Sequence, residues 1–162
     1  MEKKDLLDGK KILIVDDESD ILEVLEDLLT MCNVVTATTF DEGKILLESE
    51  YFDLAILDIM GVNGYELLNI ANKEKVTSVM LTAAALSPDN IVKSHKNGAA
   101  FFVPKPEMID IVSYLNDILE AEEKGKSTWW RWYDRLGAFY EKRFGPDWQK
   151  DDKAFWTKFT YI

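Results

Sequence analysis

Phe52-Asp53-Leu54-Ala55-Ile56-Leu57-Asp58-Ile59-Met60-Gly61 is an almost uninterrupted apolar run that stops on a carboxylate. A run this short, rich in Leu and Ile and without period-2 alternation, reads as a strand buried on both faces of a parallel sheet. Periodicity by itself does not separate it from a segment of buried helix. As a strand, it places Asp58 at its carboxyl end, the edge at which ligands bind in open α/β sheets.

The flanking sequence supports the strand. On the amino side, Lys11-Ile12-Leu13-Ile14-Val15 is a second apolar run, followed at once by Asp16-Asp17-Glu18. Apolar positions 21, 22, 25, 28 and 29 then form a helical stripe, Val34–Ala37 a strand, and Phe40–Leu47 a helix leading into the run that ends at Asp58. On the carboxyl side come a loop with two glycines (59–64), a short helix from Tyr65 to about Ala71, and a strand Val76–Leu81 ending in Thr82. A helix opened by Ser87 and Pro88 follows, then a strand Gly98–Val103 closed by Pro104-Lys105-Pro106, and an amphipathic helix from Met108 to about Glu123. Strands alternating with helices imply βαβ units, right-handed crossovers and a parallel sheet.

Composition narrows the class. The chain has 162 residues, 47% hydrophobic and 30% charged, as in ordinary globular proteins. No apolar run approaches the ~20 residues needed to span a bilayer, and Met1–Asp5 has no signal-peptide segment, so a cytoplasmic protein is expected. The single cysteine, Cys32, excludes an intramolecular disulfide and a cysteine-based zinc site. Residues 1–125 hold 11 basic and 25 acidic residues, a net −14, whereas residues 126–162 hold 8 and 5, a net +3. The acidic part argues against nucleic-acid binding, and the change of sign marks a boundary.

Four chemical features fall at strand ends: Asp16-Asp17-Glu18 after the first strand, Asp58 after the third, Thr82 after the fourth and Lys105 after the fifth. Each has a plain alternative. Asp17 or Ser19 could simply cap the next helix, and Thr82 could be an ordinary strand-end residue. His95 reads as a packing or surface residue, because no second His, Cys partner or phosphate loop accompanies it. Taken together, an acidic pair suited to Mg2+, a nucleophilic carboxylate, a hydroxyl and an ammonium are what phosphoryl transfer requires.

In this order, the set closely resembles the receiver domain of two-component response regulators over residues 10–123. The resemblance implies a flavodoxin-like, doubly wound five-stranded sheet of order 2-1-3-4-5 with helices on both faces. It makes Asp58 the phosphoacceptor, with Mg2+ held by Asp16, Asp17, Asp58 and the backbone carbonyl of Met60. Thr82 and Lys105 are then expected to contact the acyl phosphate, and Phe102 to occupy the aromatic switch position. A cis Lys105-Pro106 bond is similarly implied. The partners implied are a sensor histidine kinase or a histidine phosphotransfer protein, and an unknown downstream protein or a second copy.

Two departures from the family pattern stand out. The loop after Asp58 is short, with Val62 where a proline is usual and Gly64 about two residues early. Met60 and Ala84, which flank the phosphoryl group in relatives, are apolar and cannot orient a water, so slow autodephosphorylation is expected. A phosphatase or phosphotransferase of the aspartyl-phosphate type usually carries an acid two residues beyond its nucleophile, and Met60 is not one. The protein is therefore expected to be a switch rather than an enzyme. Phosphorelay intermediate and phosphorylation-controlled interaction module are the alternatives, and a degenerate scaffold is disfavoured by the filled site.

Residues 124–162 form a helical tail with all five tryptophans. Trp129, Trp132, Tyr133, Leu136, Tyr140 and Phe144 recur at helical spacing, and a second short helix is expected to hold Trp148, Phe155, Trp156 and Phe159. The tail is too small for an independent core or a DNA-binding output domain. Its aromatic face could dock on its own receiver or on a second copy, form a partner-binding hairpin masked or released by phosphorylation, or attach to a membrane interface, the thin basic face making that last reading the weaker.

Overall fold

The computed structural model describes residues 5–83, 88–146, 148–149 and 155–156. Five strands, β1 (Lys11–Val15), β2 (Asn33–Ala37), β3 (Leu54–Asp58), β4 (Thr77–Thr82) and β5 (Phe101–Pro104), form one parallel sheet of order β2-β1-β3-β4-β5. Helices α1 (Ser19–Leu28), α2 (Phe40–Ser49), α3 (Gly64–Lys73) and α4 (Asp89–Lys96) make the crossovers, and α5 (Ile111–Glu123) and α6 (Trp129–Phe144) follow β5. All five residues of β3 are buried, as expected for the central strand of a sheet covered on both faces. The register pairs Val15 with Leu57, Asp58 with Leu81 and Thr82 with Pro104, which brings four strand ends to one edge.

Helix α1 has Glu18 as its N-cap residue, with no side-chain cap. Neither Asp17 nor Ser19 therefore caps the helix, and the Asp16 Oδ1 bond to the Glu18 N–H (2.8 Å) orders the turn instead. Ser87 and Ala84 lie outside the described residues. Met108 belongs to a 3₁₀ turn spanning Lys105–Asp110 rather than to α5. The Lys105-Pro106 bond is trans, since there is no cis peptide among the described residues. The expectation of a cis bond is corrected by local geometry: Pro106 sits in the first turn of the 3₁₀ segment, where its fixed φ fits and its missing N–H leaves no gap.

The short loop after Asp58 is built by backbone that side chains resist. Gly61 has φ +78, and a Cβ there would lie 2.6 Å from the Asp17 carboxylate. Asn63, at φ 52, turns the chain into α3, and a Cβ on Gly64 would collide with the carbonyl of Asp58. Helix α3 thus starts directly against β3, and Val62 is buried in the position where a longer loop would stand off.

Helix α6 docks on its own receiver. Trp129, Trp132, Leu136 and Tyr140 are buried and continuous with the core formed by β3, β4, β5 and α5. The Trp129 indole donates to the Ala99 carbonyl (2.9 Å), just before β5, and the Trp132 indole to the Phe102 carbonyl (2.6 Å) on β5, the edge strand of the sheet. On the α5 side, buried Asp117 is paired with Arg135 and, at 3.7 Å, with Arg131. Of the expected second tail helix, Trp148, Phe155 and Trp156 are described and buried, and Phe159 lies outside the described residues. No helix among the described residues is long and apolar enough to cross a membrane.

Candidate phosphoryl-acceptor site

The site is assembled from the ends of β1, β3, β4 and β5. The apolar residues of each strand hold the backbone in the sheet, so the polar residue that ends or follows each apolar run emerges at a fixed point on the carboxyl edge. Asp16 is fully buried and Asp58 only 4% exposed. Lys105, one residue past β5, reaches back between them: its Nζ lies 3.2 Å from Asp16 Oδ2, 3.5 Å from Asp58 Oδ1 and 3.3 Å from Glu18 Oε1. Three carboxylates therefore converge on one ammonium.

That imbalance governs the protonation states. Burial, with the charge of Asp16 adding to it, pushes the Asp58 carboxyl up to about 7 against the pull of Lys105. Asp16 is raised too, chiefly by burial and against its bond from the Glu18 N–H and the charge of Lys105. Burial acts to lower the Lys105 ammonium, but Asp58 and Asp16 outweigh it and hold the group above its usual range.

The donor set says which charge would suit the site. The carboxylate oxygens of Asp16, Asp17 and Glu18 come within 4.8 Å of one another, an all-oxygen cluster appropriate to a hard divalent cation. Among the described residues Asp16 Oδ2, though buried, accepts no hydrogen bond and is met by the Lys105 ion pair. A buried oxygen with that little company is what a cation would satisfy. The Met60 carbonyl accepts the Val62 N–H at 2.9 Å, a tight turn that occupies one lone pair and leaves the other.

Thr82 is buried at the end of β4, beside the β3 edge, and its hydroxyl donates to the Ala83 carbonyl (3.3 Å), not to Asp58. Phe102 is fully buried on β5, its ring 6.4 Å from that of Tyr140. The Met60 side chain is 63% exposed at the mouth of the site. His95 packs edge-on against Trp129 and Phe155, away from the site residues, in the packing role the sequence suggests.

Sequence reasoning brings Asp16, Asp17, Asp58, Thr82 and Lys105 to one edge, and the structure places them there. It passed over two features. Glu18 pairs with Lys105, a role visible only as the third acid of a triplet. Trp132 bonds the backbone of β5, which side-chain periodicity cannot reveal.

Residues 12–116 match the family described as response regulator receiver domain. The chain belongs to this family, whose members serve phosphorylation-based signalling and interact with histidine kinases or phosphotransfer proteins. Among solved structures it is similar to a CheY-like response regulator receiver domain protein from Methanospirillum hungatei JF-1, at 34% identity and TM-score 0.65 over 72% of this chain and 98% of that one. It is also similar to a response regulator receiver domain protein from Clostridium thermocellum, at 28% identity and TM-score 0.61 over 70% and 97%. Curated relatives include "Probable transcriptional regulator ycf27" of Porphyra purpurea, 38% identical over 60% of this chain and 42% of that protein. "Two-component response regulator ARR10" of Arabidopsis thaliana is 30% identical over 63% of this chain and 20% of that protein. The match thus spans less than half the length of these relatives.

Proposed function

We propose that this protein is a phosphorylation-controlled signalling switch in which Asp58 accepts a phosphoryl group from a phosphohistidine of a sensor kinase or histidine phosphotransfer protein. The observation that carries the reading is Asp58 itself: a nearly buried carboxylate at a strand end, sharing the single Lys105 ammonium with Asp16. An Asp58 Oδ attacks phosphorus in line, the Oδ–P bond forms as the P–N bond to imidazole breaks, and the bonding pair returns to the imidazole nitrogen. Lys105 offsets charge on the transferring oxygens, and Thr82, next in β4 to the Leu81 that pairs with Asp58, turns its hydroxyl from Ala83 to donate to one of them. Mg2+, held by Asp16 and Asp17 with Asp58 and the free lone pair of the Met60 carbonyl, would supply electrophilic stabilisation of the phosphoryl oxygens. Glu18 is a further candidate within the same acidic cluster.

The protein assists its own phosphorylation and is not a turnover enzyme. Asp58 ends as an acyl phosphate, and Met60, which offers no proton acceptor, cannot direct water at it. The docked tail supports intramolecular regulation over a membrane anchor, because the aromatic face that would enter a membrane is spent on β5 and its neighbours.

The reading is tested with a phosphorylated histidine phosphotransfer protein as donor, by following radiolabel into this chain with and without Mg2+. Transfer that depends on Mg2+ and yields a label released by alkali and by hydroxylamine supports it. An alkali-stable label on this chain, as a phosphohistidine would give, overturns it.

A further inference from the structure

Lys105 and Trp132 act on the same strand from opposite sides. Lys105 follows Pro104, the last residue of β5, and its ammonium is bound to Asp16, Glu18 and Asp58. Three residues upstream, the Phe102 carbonyl points out of the free sheet edge and accepts the indole N–H of Trp132 at 2.6 Å, with both residues fully buried. Val103 and Pro104 are all that separate the two anchor points. Both are buried, and β5 is paired along its length to β4. A strand segment so short and so confined moves as a unit.

We propose that α6 is the reader of the phosphorylation site: β5 couples the position of Lys105 to the Phe102–Trp132 bond, and phosphorylation of Asp58 loosens α6. This rests on the reading of Asp58 as the phosphoacceptor. The sign follows from the packing. The Trp132 and Trp129 indole bonds at 2.6 and 2.9 Å, and the Trp132–Tyr140 and Phe102–Tyr140 ring contacts, are already close in the unmodified protein. A phosphoryl group moves the negative charge outward from Asp58 and draws Lys105 with it, so β5 leaves a position at which these contacts are made. Trp132 is accordingly a positioning residue, acting on Lys105 through the strand. Coupling is reciprocal, so weakening the Trp132 bond must favour the phosphorylated arrangement.

The full chain is phosphorylated with phosphoramidate and Mg2+, which forms the Asp58 Oδ–P bond and releases ammonia. Loading is read by intact mass and the amide hydrogen exchange of residues 129–144 by mass spectrometry on the same sample. The expected result is complete loading and exchange in α6 faster by about fivefold or more, the lower end of ordinary allosteric couplings. Complete loading with α6 exchange unchanged or slowed overturns the inference and leaves the phosphoacceptor reading standing, whereas failure to load overturns both. Trp132→Phe, which keeps a ring and removes the N–H donor, separates coupling from simple support. A structural role raises baseline exchange and leaves the phosphorylation-dependent increment intact. Coupling through this bond instead shrinks the increment, and a full increment in Trp132→Phe overturns the route.

Discussion

Asp16 and Asp58 compete for one cation: Lys105 Nζ stands 3.2 Å from the first and 3.5 Å from the second, with both carboxylates buried at the ends of adjacent strands. Glu18 reaches the same ammonium at 3.3 Å, so three carboxylates face one positive charge. That crowding is an electrostatic tension: burial and the charge of Asp16 both oppose ionisation of Asp58.

The tension has a pH signature. The folded state raises Asp58 from its ordinary 3.8 to about 7, so it binds a proton more tightly than the unfolded chain does. The stability this contributes is fully present below pH 3.8 and is lost as pH rises through about 7. Asp58→Asn keeps the shape and removes the titration. Its thermal midpoint without Mg2+ should exceed that of the parent by a margin that widens as the solution is taken from acid to mildly alkaline, and narrows when Mg2+ is added. A margin independent of pH would contradict the assignment.

Lys105→Met removes the ammonium and retains much of the stem. Leaving buried carboxylates without their cation should cost about 1–3 kcal/mol at neutral pH, less than a fully isolated buried charge because Asp58 can take up a proton. In the background of Asp58→Asn the same change should cost less, since one of the three acids is gone. Denaturant unfolding of the four proteins measures this coupling, and strictly additive losses would show that Lys105 and Asp58 do not interact.

Two glycines separate collision from conformation. Gly64→Ala drives a methyl into the Asp58 carbonyl at the start of α3 and should cost about 1–3 kcal/mol or more, as overpacking does. Gly125→Ala meets nothing within 4 Å and is penalised only by its φ of +65, about 1–2 kcal/mol. Urea unfolding should therefore rank Gly64→Ala as the worse, and Gly64→Ala should also slow phosphorylation because Asp58 is displaced, whereas Gly125→Ala should not.

The strands and the chemistry at their ends were legible in the sequence because they rest on local signals, whereas the sheet order came only through the family resemblance. Buried parallel strands are runs of Leu, Ile and Val, and the residue that ends each run is the one placed at the edge. The trans Lys105-Pro106 bond was not legible, because the isomer depends on the 3₁₀ turn the lysine joins and not on the dipeptide. The Asp16 turn that replaces a side-chain cap on α1 was equally hidden, since Asp17 and Ser19 are both good capping residues and only the backbone path declines them. The helical spacing of the tail's aromatics revealed α6 but not its seat. What holds it, the Ala99 and Phe102 carbonyls, are backbone groups that every residue possesses.

The exposed Met60 bears on timing. With no polar atom at this position to orient water, the acyl phosphate should decay slowly, and Met60→Asn should shorten its lifetime by supplying one. Decay followed by intact mass after removal of the phosphodonor checks this, and an unchanged or longer lifetime in the variant would show that position 60 does not govern hydrolysis.

The central claim is that Asp58 is the residue that carries the phosphoryl group. Intact-mass measurement after incubation with phosphoramidate and Mg2+ tests it most directly. The expected result is one phosphoryl increment on the parent protein and none on Asp58→Asn; full-stoichiometry labelling of Asp58→Asn would overturn the assignment.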